Sequence, residues 1–440
     1  MGRVAVAAAV SLWLIPISIL VNRIVPDPYM DEIFHVPQAQ KYCGGNFRSW
    51  DPMITTPPGL YILSLAYVAS LFPGLYCLRA VSSFSDSCST SILRLTNGVL
   101  TVLGALSVLM RQTNIIWMLF VACAAVIDFT HSHKNDCLKV DESSMSKEKD
   151  TQIADNRGAS VATKLRKRRN GNGLGSRNNV TSQASGPTTS SSGLFDEIWD
   201  VIIISWHFLW ELLATFSPFF VIFMAFVAFV CWNGSIVLGA KDAHSVSPHF
   251  SQLLYYSLVS ALFMVPAHFS LQQAAVLFRQ MSRNKMFSFF QSIVALTICF
   301  LSVKIFSIAH PYLLADNRHY PFYLWRKIVN YHWSTKYLMV PLYVYSMFSI
   351  VANLAKGQKK IWVMVYILAC AGALIPTPLV EFRYYTVPFY FLILHTRIDD
   401  NKSWLILGTH YLAINCFTMF MFLFKPFSWS HEAGTQRLMW

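Results

Sequence analysis

The stretches PFFVIFMAFVAFVCW (residues 218–232) and MFSFFQSIVALTICFLSVKIF (residues 286–306) decide the fold, because the first carries no charge and the second only Lys304. A helix crosses the hydrocarbon core of a bilayer in about 20 mostly apolar residues, with every backbone polar group satisfied internally. Apolar runs of this kind recur from Val4 to Phe424. They predict an all-α, polytopic membrane protein with about 10–11 transmembrane helices. Composition agrees: of 440 residues, 54% are hydrophobic and 13% charged, with a mean hydropathy of +0.42, against about 25% charged in soluble proteins.

Between the apolar runs the basic residues act as topology signals. The net charge of +13 lies mainly in these connections, not on one polar domain, so it argues against a nucleic-acid partner and for a membrane one. The start, MGRVAVAAAVSLWLIPISILVNRIV, has Arg3 before an apolar run and no small-residue cleavage site before Asn22. It is read as an uncleaved first span with its N-terminus in the cytosol. Residues 58–78 return the chain. From Leu95 to Phe129 the sequence is apolar except at RQTN (residues 111–114). Either two short spans form a hairpin there, or one long tilted helix crosses; the basic cluster downstream favours the hairpin.

These patterns divide the chain into an N-terminal membrane module (1–129), a polar segment expected to be disordered and cytosolic (130–197), and a C-terminal membrane module (198–440). The polar segment contains KLRKRR (residues 164–169) and the sequon Asn179-Val180-Thr181, and has too few large apolar residues to fold by itself. Residues 198–216 carry His207 and Glu211 and are expected in the membrane interface. Further spans are expected at about 253–266, 337–354, 361–376, 387–395 and 404–424. Connections near Arg279, Arg283 and Lys285 and at AKGQKK (355–360) are simply basic, hence cytosolic. The others are aromatic, His-rich and of mixed charge. They form loops 22–57, 233–252, 307–336 and 379–386, all assigned to the lumenal side. Function is expected there. Of the sequons at Asn179 and Asn233 only Asn233 is on the side where it could be modified, close to the membrane.

The first loop places Asp31, Glu32 and His35 within one turn of an expected short helix. A carboxylate there can act as general base toward a sugar hydroxyl, or the acids can simply cap the helix, where negative charge is favoured. Sequence physics leaves these readings level. Arg and His suit a phosphate leaving group; the later loops offer His310, Arg318, His319, Lys336 and Arg383, among many aromatic residues that the interfacial belt largely explains. No P-loop, GxGxxG or HExxH appears, and no metal or other cofactor is expected. Nothing is large enough to be a soluble nucleotide-sugar domain, so a transferase would take its donor from lipid.

The stretches YMDEIFHVPQAQKYC, WDPMITTPPGLY, RLTNGVL, RQTNIIW, WNGSIVLG, LLADNRHYPFYLWRK and TQRLMW resemble the dolichyl-phosphate-glucose-dependent alpha-1,2-glucosyltransferases of the endoplasmic reticulum. The serine-rich insert resembles the plant members. The resemblance implies a GT-C type architecture and a donor of dolichyl-phosphate glucose. It implies a dolichyl-diphosphate-linked oligosaccharide as acceptor, and addition of the terminal, third glucose. It also implies a metal-independent reaction with an acidic base in the first lumenal loop, Asp31 or alternatively Glu32. Members of that family usually carry further spans between RLTNGVL and RQTNIIW, whereas this chain passes directly from Leu100 to Arg111. About sixty residues look missing on that comparison, an even number of spans whose loss preserves topology. A non-catalytic accessory protein is therefore the alternative. A transporter fits less well, because the ionisable residues cluster at span ends and no internal repeat is found.

Overall fold

The computed structural model describes residues 12, 15–62, 103–155, 193–239, 241, 247–283, 285–398, 400–430 and 434–439, with side chains to Lys134 in the second long stretch. The chain divides into two compact units, one of residues 1–122 with 213–440 and one of residues 123–212.

The first unit is helical and built for lipid. Among the described residues the helices Asn114–Lys134, Leu209–Asn233, Lys285–Phe306, Thr335–Leu354 and Asn401–Phe424 are long and apolar enough to cross a membrane, and a bent pair raises the total from 5 to 6. This is fewer than the 10–11 expected. Residues 63–78 and 95–102 lie outside the described residues, and the helices Lys360–Leu374 and Phe382–His395 have 15 and 14 residues, short of the roughly 20 a full crossing takes.

At the centre stands Ser251–Phe263. It packs on Val340–Leu354 and also touches Lys360–Leu374, Phe382–His395 and Asn401–Phe424. Its buried Tyr256 is satisfied across the bundle: Tyr256 and Tyr366 share a hydroxyl hydrogen bond, and Tyr366 donates to the Pro388 carbonyl at 2.9 Å. After Phe263 the path bends by 101°. Pro266 explains this, since it lacks an N–H and its ring clashes with the preceding turn. Beyond the bend, Leu271–Arg283 forms a helix where a basic connection was expected. One face buries Gln273 and Leu277, while Leu271 and Phe278 are exposed, the two-sided pattern of a helix lying in the interface.

RQTN closes a hairpin, as the first of the two readings requires. Residues 103–110 are helical, the chain turns at Arg111, and a new helix starts at Asn114. Asn114 Nδ2 donates to the Ser107 carbonyl at 2.8 Å, and Gly104 faces Met118 across the turn.

In the second unit the helix from Asn114 runs on to Asp155, so the expected disordered segment does not begin at residue 130. The stretch 114–155 contains no Gly or Pro and is rich in Lys, Glu and Asp towards its end. A helix nucleated in the apolar part therefore propagates through polar sequence until a breaker intervenes. KLRKRR and Asn179 lie outside the described residues. The helix Leu194–His207 stops at Phe208, and the ring of Phe208 stacks on His133 at 4.5 Å while Lys134 pairs with Asp200. The interfacial element thus ends at His207, and Glu211 falls in the first turn of the next helix, Leu209–Asn233.

Candidate active site

The first loop is folded, not loose. Its helix Glu32–Cys43 packs Tyr42 against Ile54 and Tyr61, with Trp50 at the edge. Buried Gln38 ties the returning strand down, donating to the Ser49 carbonyl at 2.7 Å and accepting from the Asp51 N–H at 3.1 Å. Two other connections are stitched to this loop. Gln112 of RQTN and the Leu238 N–H both donate to the Thr55 carbonyl, at 2.8 and 3.1 Å. Gly239 lies so close that a Cβ would stand 2.3 Å from the Pro52 carbonyl oxygen, which only glycine tolerates.

Asp31 and Glu32 now separate. Glu32, in the first turn, accepts the Tyr29 N–H at 3.1 Å, a bond that closes the turn leading into the helix. Asp31 occupies the N-cap position but makes no side-chain cap hydrogen bond. Instead its Oδ2 accepts from Arg383 Nη1 at 3.2 Å, with the Asp31 side chain 70% exposed. The preceding residue, Met30, has φ 57. A non-glycine side chain in the left-handed region costs about 1–2 kcal/mol, and such strain clusters at functional sites.

Arg383 stands at the start of the helix Phe382–His395. It grips buried Glu381 with Nε and Nη2, the latter at 3.0 Å. The loop carrying both is held from behind by buried Gln252, which donates to the Leu379 carbonyl at 2.8 Å and accepts from the Tyr385 hydroxyl at 2.7 Å. The Tyr384 ring lies between two guanidiniums, with Arg111 Cζ 4.9 Å and Arg383 Cζ 5.8 Å from its centroid. Arg111, Arg383, Tyr384, Thr377, Asn114 and Trp117 line one cavity. Burial, with repulsion from Arg383, pulls the Arg111 pKa below its usual value, against the opposing pull of Tyr384 and Glu381.

The other candidate cations are occupied elsewhere. Arg318 forms a two-point pair with Asp316, Nε at 2.9 Å and Nη2 at 2.8 Å, and lies 4.9 Å over the Trp429 ring. His319 Nε2 stands 3.8 Å from the same carboxylate. The antiparallel hairpin Phe427–Ser428 with Thr435–Gln436 straps this loop. Met439 donates to the Arg318 carbonyl at 2.8 Å, and Trp429 Nε1 to Asn317 at 2.8 Å. Arg437 reaches the Phe422 and Leu423 carbonyls at the end of Asn401–Phe424, at 2.8 and 2.9 Å, a helix C-terminal cap. Tyr29, two residues before Asp31, exchanges hydrogen bonds with the Arg437 backbone at 2.8 and 3.0 Å. The first loop, the ADNRHY loop, the EFRYY loop and the C-terminal hairpin therefore meet on one side.

His35 bonds the Tyr61 hydroxyl through Nδ1 and belongs to the packing of the first loop. His310 precedes the short helix Pro311–Ala315, its carbonyl accepting the Leu314 N–H at 3.3 Å. Lys336 lies 5.0 Å over the Tyr337 ring. Of the eight candidate residues, the structure thus brings Asp31 and Arg383 into direct contact. Arg111 and Tyr384 were not singled out; the signal for Arg111 was a lone arginine at a break between apolar runs. Among the described residues no three His, Cys, Asp or Glu converge as metal ligands.

The comparisons with known proteins bear on this geometry. The Dol-P-Glc:Glc(2)Man(9)GlcNAc(2)-PP-Dol alpha-1,2-glucosyltransferase of Arabidopsis thaliana is 48% identical over 521 aligned residues, spanning 100% of this chain and 100% of the relative. Proteins of the same name from Homo sapiens and Mus musculus are 29% and 28% identical, each covering 95% of this chain and 94% of the relative. The 521-residue alignment against a 440-residue chain opens gaps in this chain. No solved structure matches. The profile of the DIE2/ALG10 family matches residues 25–103 and 99–394, two stretches that overlap at residues 99–103, and the chain belongs to that family.

Proposed function

We propose that the chain transfers glucose from dolichyl-phosphate glucose to a diglucosylated dolichyl-diphosphate-linked oligosaccharide. The bond formed is the terminal alpha-1,2 linkage, and the reaction takes place in the endoplasmic reticulum membrane with the site facing the lumen. The observation that carries this reading is the Asp31 carboxylate, free of any capping hydrogen bond and held by Arg383, in a chain whose full-length relatives bear that activity in their names. Asp31 takes the proton from the 2-hydroxyl of the acceptor's terminal glucose. The freed oxygen attacks the anomeric carbon, the carbon–oxygen bond to phosphate breaks, and dolichyl phosphate leaves with the bonding electrons. Attack opposite a beta-linked phosphate inverts the centre to alpha. Guanidiniums beside the base stabilise the leaving phosphate by charge-assisted hydrogen bonds, so the reaction needs no metal.

The shortened connection between Leu100 and Arg111 favours a second reading, a non-catalytic accessory protein. One experiment separates them: expression in cells lacking the terminal glucosyltransferase, followed by analysis of the lipid-linked oligosaccharide. Restoration of the triglucosylated form is the expected result. Accumulation of the diglucosylated form alone overturns the transferase reading in favour of the accessory one.

A further inference from the structure

The loop that carries Glu381 and Arg383 has few donors of its own, because Pro376 and Pro378 have no N–H to give. Its carbonyls are received by another segment. The His249 N–H donates to the Ile375 carbonyl at 2.9 Å, and the Ser247 N–H to that of Pro376 at 3.3 Å. Gln252 Nε2 takes the carbonyls of Thr377 at 3.4 Å and Leu379 at 2.8 Å. Residues 247–252 thus receive the carbonyls of residues 375, 376, 377 and 379, and among these donors only Gln252 uses its side chain.

The Gln252 amide is held one way round. Carbonyl oxygens only accept, so Nε2 faces the loop and Oε1 is left for the Tyr385 hydroxyl, which donates at 2.7 Å. Both side chains are withdrawn from water, Gln252 at 0% and Tyr385 at 3% exposed. A buried carboxamide is tolerated where protein groups replace its bonds to water. Here those groups belong to Thr377, Leu379 and Tyr385, and the last two bracket Arg383. Arg383 in turn grips Glu381 and donates to Asp31. The guanidinium therefore reaches the base from a stretch of backbone fixed on both flanks by one amide.

We infer that Gln252 is a positioning residue for glucosyl transfer: by fixing Leu379 and Tyr385 on either side of Arg383, it sets where that guanidinium holds the Asp31 carboxylate. Its own hydrogen bonds stop at the loop, short of Asp31. The effect on transfer rests on the transferase reading, whereas the mechanical coupling of Gln252 to Asp31 does not. Misplacing a reacting group by about 1 Å costs on the order of a hundredfold in rate. An amide remote from the chemistry can thus govern kcat and leave KM alone.

The test replaces the amide by a group that pH can switch. In Gln252→Glu a protonated carboxyl reproduces the arrangement, its O–H donating to the Leu379 carbonyl and its other oxygen accepting from Tyr385. The ionised form loses the donor and turns a negative charge toward the Thr377 and Leu379 carbonyls. A fully buried Glu titrates at about 8–9. The full chain in lipid nanodiscs is assayed with dolichyl-phosphate glucose and the diglucosylated lipid-linked oligosaccharide. The ratio of variant to native kcat is expected to fall about tenfold or more between about pH 6 and about pH 9, with KM for both substrates within about twofold. A merely structural loss lowers that ratio equally at every pH, so a flat ratio overturns the inference. Hydrogen exchange, corrected for the intrinsic rate, reads the coupling with no glucose moving. In Gln252→Glu the protection of residues 379–385 and of residues 29–36 is expected to fall together as pH rises; unaltered protection of 29–36 overturns the inference. Coupled loss of protection in a chain that leaves the oligosaccharide diglucosylated supports the coupling and overturns the transferase reading. Glucose transfer with a flat ratio does the reverse. Where Gln252→Glu does not fold, Tyr385→Phe replaces it, removing the donor to Oε1 and keeping the ring. It is expected to lower kcat several-fold with KM unchanged, and a native kcat overturns the inference.

Discussion

Arg383 donates through Nη1 to Oδ2 of Asp31 at 3.2 Å, joining residues 352 positions apart. The guanidinium is also engaged by Glu381, so Asp31 receives a single contact and keeps an oxygen for a substrate hydroxyl. The pair is what turns an exposed acid in a loop into a placed one.

The first prediction separates the two neighbouring acids. Asp31→Asn is expected to lower glucosyl transfer by about 10²–10⁴-fold, the usual worth of a general base. Glu32→Gln keeps an acceptor for the Tyr29 N–H and should stay within a few-fold of the native chain. Quantifying triglucosylated lipid-linked oligosaccharide for both variants decides it; equal losses would return the two acids to one shared role.

Removing Arg383 strands a buried carboxylate, since Glu381 is 8% exposed. Breaking a fully buried pair costs about 3–5 kcal/mol. With the Arg383 side chain 49% exposed, solvent screening reduces the expectation for Arg383→Gln to about 1–3 kcal/mol. The double variant Glu381→Gln/Arg383→Gln should regain part of that loss in a thermal melt in detergent. A double variant no more stable than the single one would mean the pair is not what holds the loop.

Much of the bundle was legible from hydropathy. The helices Lys285–Phe306 and Asn401–Phe424 match apolar runs read at 286–306 and 404–424, because a run between charged ends in lipid has one way to satisfy its backbone. Loop character also sorted the aromatic, His-rich connections onto one side, where Asp31 meets Arg383 and Tyr29 meets Arg437. The partners themselves were not legible. No periodicity encodes a contact such as that of Tyr29 with Arg437, 408 residues away, and the density of His and Arg in ADNRHY looked like a phosphate site when Asp316 in the same motif already neutralises Arg318. The helix through Asp155 was missed because polar composition was read as absence of structure, while helix propagation needs only good formers and no breaker.

Asp316 supplies a pH dependence. Burial alone would raise its pKa, but hydrogen bonds and charge from Arg318, with His319, hold the carboxyl below the usual 3.8. A carboxyl with a depressed native pKa stabilises the fold fully above the unfolded value and loses that contribution as pH falls through the native one. Docking of the C-terminal hairpin onto the ADNRHY loop is therefore expected to be flat at neutral pH and to weaken below about 3.8. Hydrogen exchange of residues 427–439 as pH is lowered measures this once the intrinsic rate is removed. In Asp316→Asn the same segment should be less protected at neutral pH and lose the acid step; an unchanged step would assign it to another group.

The Asn233-Gly234-Ser235 sequon gives the last prediction. The Asn233 amide nitrogen, the atom a glycan would need, donates to the Ser235 carbonyl at 2.9 Å and to the Val237 carbonyl at 2.7 Å. Lys241 closes the same turn on the Asn233 carbonyl at 2.6 Å, and Gly234 takes φ 68, a conformation glycine adopts without strain. Modification replaces one of the two amide hydrogens and so removes at least one of these hydrogen bonds, and the turn they close precedes the segment that packs on the first loop through Leu238 and Gly239. Asn233 is thus expected to remain unglycosylated in the folded chain, although sequence and side alone mark it as the site to be modified. Endoglycosidase treatment of the chain expressed in the secretory pathway reads this directly: a mobility shift that disappears in Asn233→Gln would mean the turn opens before folding completes, and its absence would mean the turn forms first.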